Sequence, residues 1–255
     1  MQGATRATRP DVLVVEEPLE LRVGGLPLTV TMRTPGDDLD LAAGFLVAEG
    51  AVRTAEDIRT MAYCNGLDDE GLQTYNQLDL DLRVPAPAPR AFATTSSCGV
   101  CGAGSIDAVR QRSPYDVSVD LTAVDLDVVR ALPDRLRAAQ EEFRRTGGLH
   151  AAGLFTATGE LLCLREDVGR HNAVDKVVGW ALREGRLPLT GTVLLVSGRA
   201  SFELVQKAWM AGIPALAAIS APSSLAVELA EQAGMTLIGF LRGEALNVYC
   251  GVHRT

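Results

Sequence analysis

Residues 193–199, Val193-Leu-Leu-Val-Ser-Gly-Arg199, form an apolar run that ends abruptly in small and polar residues. An uninterrupted apolar run of this length is typical of a strand that is buried on both faces. Similar runs recur at 213–219 and 236–241, and segments between them carry apolar residues at helical spacing. This alternation predicts an α/β sheet with helices on both faces and ligands at the carboxyl ends of its strands.

The N-terminal part has a different pattern. Apolar and polar residues alternate over 19–23 and 28–32 around Gly24-Gly25, which predicts a β-hairpin. A helix capped at Asp37-Asp38 is expected to follow, and a further strand is expected at 78–84.

The region that follows changes to helical spacing. A core-facing helix is predicted over 125–143, with Pro133 tolerated inside it and Gly147-Gly148 ending it. A second hairpin is predicted over 152–164. We therefore expect a β-rich N-terminal part over 1–120 and an α/β domain over 121–255.

Composition excludes several classes of protein. The net charge of -8 and the pI near 5.0 disfavour binding to a nucleic acid, which requires a basic face. No signal sequence and no apolar run long enough for a membrane span is found, so we expect a cytoplasmic protein. Five cysteines, three of them isolated in the sequence, do not form a disulfide framework.

Two of the cysteines form a reactive motif, Ser96-Ser97-Cys98-Gly99-Val100-Cys101-Gly102. A helix predicted over 105–112 would lower the pKa of a thiol at its start, and the glycines would expose it. The spacing alone is compatible with a dithiol oxidoreductase, half of a zinc site, a sulfur carrier or two inert cysteines. A thioredoxin-like site is disfavoured because a proline-rich passage precedes the pair. A zinc deaminase is disfavoured because the segment His150-Ala151-Ala152 lacks the catalytic acid.

Two strand ends could hold an anion. Ser197-Gly198-Arg199 and the segment 220–224 place small residues before helices, where free backbone amides bind oxyanions. Ordinary helix capping is the alternative for each segment alone. Arg199 and Arg242 near the same edge favour a nucleotide-like ligand.

A dense polar cluster spans residues 165–176. It is either a functional patch, which would include Arg170 and His171, or a structural network of ion pairs. His171 is a candidate general acid, anion ligand or helix cap. His150 is a second candidate, which could instead be a histidine with satisfied hydrogen bonds at a strand edge.

These motifs together resemble one known family, the formate dehydrogenase accessory sulfurtransferases, FdhD. The resemblance rests on several strings in one order and extends over nearly the whole chain. The matching strings are 97–102, 146–152, 166–176, 197–199, 221–224 and 240–242.

The resemblance implies a sulfur carrier. Such a carrier takes persulfide sulfur from a cysteine desulfurase and passes it to the bis-guanine-dinucleotide form of the molybdenum cofactor, before this cofactor enters formate dehydrogenase. By the family pattern Cys98 carries the persulfide and Cys101 assists. The resemblance also implies a fold similar to that of cytidine deaminases in the C-terminal part, without their zinc.

The cofactor site implied by the family, combined with the strand ends, gives one set of candidate residues. These are Ser197, Gly198, Arg199, Arg170, His171, Phe240, Leu241, Arg242, Gly243, Glu244 and Ala245. A homodimer is also expected. A cofactor-binding chaperone without thiol chemistry and a dithiol oxidoreductase are the alternatives.

We predict that the purified protein contains no stoichiometric zinc, because one cysteine pair and three scattered histidines cannot close a tetrahedral site. Elemental analysis of the purified protein checks this. One zinc per chain that disappears in the Cys98→Ala, Cys101→Ala variant would contradict it.

Overall fold

The computed structural model describes residues 10–67, 70–88 and 113–255. The Cys98 and Cys101 motif and the helix predicted over 105–112 lie outside these residues. Within them the chain forms two sheets and a set of helices around them. None of the helices in the described ranges has the length and apolar character that crossing a bilayer requires.

The smaller sheet has the strand order β2-β1-β4-β3. Its strands are β1 (Glu17–Val23), β2 (Leu26–Arg33), β3 (Ile58–Tyr63) and β4 (Gln77–Leu82). The predicted hairpin is confirmed, since β1 and β2 pair antiparallel around Gly24 and Gly25, whose φ angles are 58° and 79°. Two consecutive positive φ angles suit a tight turn that follows the twist of the strands. β3 was not predicted, because its residues do not alternate between polar and apolar.

The larger sheet has the order β10-β9-β8-β7-β5-β6. Its strands are β5 (His150–Thr156), β6 (Leu161–Asp167), β7 (Thr192–Val196), β8 (Ala215–Ala218), β9 (Thr236–Arg242) and β10 (Ala245–Cys250). β7, β8 and β9 are parallel, whereas β5 runs antiparallel to both β6 and β7. The predicted hairpin and the three predicted parallel strands are therefore confirmed, and β10 is an additional edge strand.

Helices cover both faces of the larger sheet. They are α1 (Asp38–Ala48), α2 (Leu126–Ala139), α3 (Glu141–Thr146), α4 (Arg170–Arg183), α5 (Phe202–Met210) and α6 (Ser224–Ala233). α2 packs Val129, Leu132 and Leu136 on one face, while α4, α5 and α6 pack on the other. This confirms the α/β class and the three layers. The similarity to cytidine deaminases and the boundary at residue 120 stay predictions.

The single helix predicted over 125–143 is wrong. α2 ends at Ala139, and Gln140 leaves the helical region with a ψ of 97°. The reason is a long-range contact, because the carboxylate of Glu166 accepts hydrogen bonds from the amides of Glu142 and Phe143 and so starts α3 as a separate helix. The helical sequence pattern carries no signal of this contact. α3 does end at Gly147, as predicted.

The predicted helix over 39–46 is confirmed as α1, but Asp37 does not cap it with its side chain. α1 instead depends on close packing against α4. A methyl group added at Gly44 would lie 1.8 Å from the carbonyl oxygen of Asp175, and one at Gly179 would lie 1.8 Å from that of Asp40. The two backbones therefore touch, and α1 joins the core of the smaller sheet to that of the larger one.

We predict that Gly44→Ala lowers the free energy of unfolding by about 3 kcal/mol, because the added methyl group overlaps the backbone of α4. Helix propensity alone predicts the opposite sign, since alanine favours a helix over glycine by about 1 kcal/mol. Urea unfolding measures the difference. Glu228→Ala on the exposed side of α6 is the control and should unfold like the native protein. A Gly44→Ala midpoint at or above the native one would contradict the contact.

Candidate anion site at the carboxyl edge of the larger sheet

The carboxyl ends of β7, β8 and β9 lie side by side at one edge of the larger sheet. The amide of Ser220 donates to the carbonyl oxygen of Gly198 at 3.3 Å, and the amide of Phe240 donates to that of Ser220 at 3.1 Å. β5 begins with His150 at this same edge, because it runs antiparallel to β7. The structure thus brings the residues predicted from the three strand ends into one continuous row.

Two exposed guanidinium groups belong to this row. Arg199 and Arg242 are both exposed, and neither forms an ion pair with any residue in the described ranges. Within those ranges the amides of Gly198 and Arg199 likewise donate no hydrogen bond. Positive charge and unused amide donors at adjacent positions are what a small oxyanion requires.

The last residues of β9 and the turn that follows them have unusual backbone angles at the same edge. Phe240 has a φ of 53°, in the left-handed region that non-glycine residues rarely adopt, and its side chain is 40% exposed. Gly243 follows with a φ of 54°, and Arg130 of α2 donates to the carbonyl oxygen of Glu244 at 3.1 Å. Strain of this kind is common where a backbone is shaped for a ligand.

Leu241 differs from its neighbours in the predicted site. Its side chain is 1% exposed and packs with α2 in the core, so it offers a ligand only its backbone. Arg242, Gly243, Glu244 and Ala245 are all exposed. The predicted segment 240–245 therefore presents one aromatic ring, one guanidinium, one carboxylate and a tight turn at the edge.

Most of the polar cluster over 165–176 is structural. Asp167 and Lys176 are 0% and 1% exposed and lie 2.8 Å apart as a buried ion pair. Asp175 pairs with Lys207 of α5 at 2.6 Å, and Arg165 pairs with Asp40 of α1 at 2.8 Å. Burial raises the pKa of Asp175, and the ammonium of Lys207 opposes that shift. The ion-pair interpretation therefore accounts for these residues.

His171 is placed by a carboxylate. Its Nε2 lies 2.7 Å from Oε2 of Glu203 and 3.4 Å from Oγ of Ser201, both at the start of α5. The helix cap of α4 is Gly169, so the capping alternative for His171 is wrong. Its roles as a general acid or an anion ligand stay predictions.

Ser223 shows that capping also explains part of the second predicted strand end. Its Oγ accepts a hydrogen bond from the amide of Ala226 at 3.2 Å and caps α6. The capping alternative is confirmed at this residue. Ser220 instead contributes through its backbone to the row of strand ends.

His150 lies closer to the centre of the edge than the sequence indicated. It lines a cleft of ≈ 610 Å³ together with Arg137, Phe143, Gly148 and Ser197. The wall of this cleft is the break between α2 and α3, which the sequence did not reveal. The string Gly147-Gly148-Leu149-His150 is the signal that could have drawn more attention to this histidine.

The thiol motif itself lies outside the described residues, but the structure describes the chain on either side of it. Before it, the amide of Arg83 donates to the carbonyl oxygen of Asp57 at 2.8 Å. After it, Oγ of Ser113 donates to the carbonyl oxygen of Trp209, near the end of α5, at 2.8 Å. Because α5 starts at the carboxyl edge of the sheet, its end lies at the opposite edge.

The other cysteines are less suited to chemistry. Cys163 and Cys250 are both buried. Burial raises the pKa of Cys163 to about 12 and that of Cys250 to about 11. Cys64 is half-buried. In the described ranges no group of three or more His, Cys, Asp or Glu side chains could hold a metal ion. Cys98 and Cys101 lie outside these ranges, so the absence of zinc there stays a prediction.

Comparisons with known proteins place these features in context. The FdhD/NarQ family model matches residues 14–255. The sulfur carrier protein FdhD of Nocardia farcinica is 59% identical, over 96% of this chain and 88% of that protein. The protein of the same name from Mycobacterium tuberculosis is 57% identical, over 97% of this chain and 92% of that protein. A crystal structure of a proposed formate dehydrogenase accessory protein from Desulfotalea psychrophila superposes with a TM-score of 0.76 at 25% identity, covering 97% of this chain and 95% of that one.

We predict that Cys163 and Cys250 of the folded protein are alkylated about a hundredfold or more slowly than an ordinary thiol. The reason is that the thiolate fraction falls tenfold for each unit by which the pKa is raised. Cys98 and Cys101 should be modified first. Peptide mass spectrometry after a short iodoacetamide pulse measures each site, and a urea-unfolded sample gives the reference rates. Equal labelling of all five cysteines in the folded protein would contradict the assignment.

Proposed function

The chain belongs to the FdhD/NarQ family, and on that premise we propose that it is a sulfur carrier that serves formate dehydrogenase. It accepts persulfide sulfur from a cysteine desulfurase on Cys98 and Cys101. It then transfers this sulfur to the bis-guanine-dinucleotide molybdenum cofactor, which is its substrate. A cytoplasmic location and a homodimer belong to the same proposal.

The observation that carries the proposal is the cationic row at the carboxyl edge. The chain has a net charge of -8, yet Arg199 and Arg242 stand exposed at the ends of β7 and β9, on either side of β8, without an ion pair in the described ranges. The pyrophosphate of a guanine dinucleotide suits this edge, where guanidinium groups and backbone amides donate charge-assisted hydrogen bonds. Phe240 adds an exposed ring beside them.

The chemistry at the thiols follows from thiol–disulfide exchange. The thiolate of Cys98 attacks the outer sulfur of the desulfurase persulfide, and the donor cysteine leaves as a thiolate. The product is a persulfide on Cys98, which Cys101 holds in place or receives. Burial and raised pKa values keep Cys163 and Cys250 from competing for the sulfur.

The two centres are within reach of one another along the chain. A five-residue strand such as β7 is about 17 Å long, which is the span between the two edges of the sheet. About ten residues separate residue 88 from Cys98, and such a length reaches about 33 Å when extended. This length of chain is compatible with a Cys98 that serves both a desulfurase and the cofactor edge.

Two other functions make different demands on the same residues. A chaperone that only binds the cofactor needs Arg199 and Arg242 and not the thiols. A dithiol oxidoreductase needs Cys98 and Cys101 and no nucleotide site. Variants that remove either the two thiols or the arginines of the anion edge therefore distinguish the sulfur carrier, the chaperone and the oxidoreductase.

We expect the Cys98→Ala, Cys101→Ala variant to bind guanosine diphosphate like the native protein, but to gain no sulfur and to leave formate dehydrogenase inactive. Arg242→Ala should bind the nucleotide about tenfold or more weakly, since a charge-assisted hydrogen bond contributes about 1.5–3 kcal/mol. It should still accept sulfur. Calorimetry measures the binding, and intact mass after incubation with a desulfurase and cysteine measures the added sulfur.

Arg59→Ala is the matched control, because Arg59 is an exposed arginine of the smaller sheet, paired with Asp81. It should change neither readout. Normal activation of formate dehydrogenase by the double cysteine variant would favour the chaperone. No nucleotide binding by the native protein would refute the cofactor site and favour the oxidoreductase. Sulfur on Cys98→Ala but not on Cys101→Ala would reverse the roles of the two thiols.

A further inference from the structure

His150 lies against the backbone of Gly198, at the centre of the anion edge. A methyl group added at Gly198 would lie 3.6 Å from both Cε1 and Nδ1 of the imidazole, and 3.8 Å from Cδ of Arg170. The missing side chain of Gly198 therefore leaves a small space that is flanked by an imidazole and an arginine. The same imidazole, together with Ser197, also lines the ≈ 610 Å³ cleft.

Ser197 is a hydrogen-bonding neighbour of the imidazole. Its Oγ accepts a hydrogen bond from the amide of Ala151 at 2.9 Å and lies 3.5 Å from Nδ1 of His150. A hydroxyl can either donate to a neutral Nδ1 or accept from a protonated one. The contact with Ser197 is therefore compatible with both charge states of His150.

The surroundings of His150 favour its neutral form when no anion is bound. Burial lowers its pKa below the ordinary value, the charges of Arg170 and His171 lower it further, and Asp167 acts in the opposite direction. Asp167 pairs with Lys176 at 2.8 Å, and Nε2 of His171 lies 2.7 Å from Oε2 of Glu203. Asp134 and Arg137 of α2 also line the cleft.

We propose that His150 takes up a proton from solvent when an oxyanion binds beside Gly198, and that it holds the anion as an imidazolium. This inference rests on the proposed function in one respect, because it concerns the edge that is proposed to hold the phosphates. It assigns to His150 a contact with the bound anion. The sulfur chemistry of the two thiols does not enter into it.

The charge balance around Gly198 explains the proton uptake. The negative charge of an anion beside Gly198 offsets both the burial of the imidazole and its repulsion by Arg170, which together favour the neutral form. An opposite charge at contact distance raises the pKa of such a group by about 1–3 pH units. Binding therefore raises the pKa of His150, and the affinity for the anion gains about tenfold for each unit of that rise.

The sign of the pH dependence follows directly. Because the pKa of His150 is higher in the bound state, the extra affinity is fully present below the pKa of the free protein. It is lost as the pH rises through the pKa of the bound protein. Anion binding should thus weaken as the solution becomes alkaline.

The test uses sulfate, whose charge is constant between about pH 5 and 8, where histidine titrates. The chain has three histidines, so their Cε1 proton signals can be followed by one-dimensional NMR and assigned with H150Q and H253Q. With sulfate, the His150 signal should titrate at least about one pH unit higher than without it. The affinity of the native protein should fall about tenfold or more across this range.

Two variants complete the design. H150Q should bind sulfate with an affinity that changes less than about twofold over the same range, since glutamine does not titrate. H253Q, at an exposed position near the C-terminus, should behave like the native protein. If H150Q does not fold, H171Q and H253Q assign the signals, and the NMR titration of the native protein decides the question.

The outcomes are distinct. Sulfate binding that is independent of pH, with an unshifted His150 signal, overturns the role of His150 and leaves the proposed cofactor edge in place. A shift confined to the His171 signal transfers the proton uptake to that residue and also overturns the inference. No sulfate binding at any pH overturns both the inference and the phosphate site of the proposed function.

Discussion

The carboxylate of Asp167 is the contact on which the architecture of the site depends. One of its oxygens accepts hydrogen bonds from the amide of Gly169 at 2.8 Å and from the side chain of Asn172 at 2.9 Å. The other accepts from the amide of Thr34 at 3.2 Å and pairs with Lys176 at 2.8 Å. One fully buried carboxylate thus joins the end of β6, the start of α4 and the end of β2.

This arrangement places the start of α4, and with it Arg170, beside the anion edge. A buried ion pair adds little net stability, because desolvation offsets most of the attraction, but removing one partner leaves an uncompensated buried charge. The value of Asp167 therefore lies in positioning. It makes the smaller sheet and the first turn of α4 depend on one another, while the backbone contact of Gly44 with Asp175 holds α1 against the same helix.

The structure describes the anion edge and the chain on either side of the thiol motif. The row of strand ends presents Arg199, Arg242 and His150 at the carboxyl edge of the larger sheet. The chain enters and leaves the thiol motif by contacts with Asp57 and Trp209, and the second of these lies towards the opposite edge. Ser113, where the described chain resumes after the motif, is therefore held away from the anion edge.

The sequence by itself determined the elements whose signal is local. Apolar periodicity and glycine turns predict the hairpins, the parallel strands and most of the helices. The rule that ligands bind at the carboxyl ends of strands selects Arg199 and Arg242 as candidate ligand-binding residues. The tertiary structure alone decided three further features: the break between α2 and α3, the structural role of Asp167 and Asp175, and the position of His150. Each depends on partners distant in sequence, such as Glu166 for α3 and Gly198 for His150. A periodic pattern reports only whether a residue is buried, whereas a hydrogen bond or an ion pair needs the position of its partner in space.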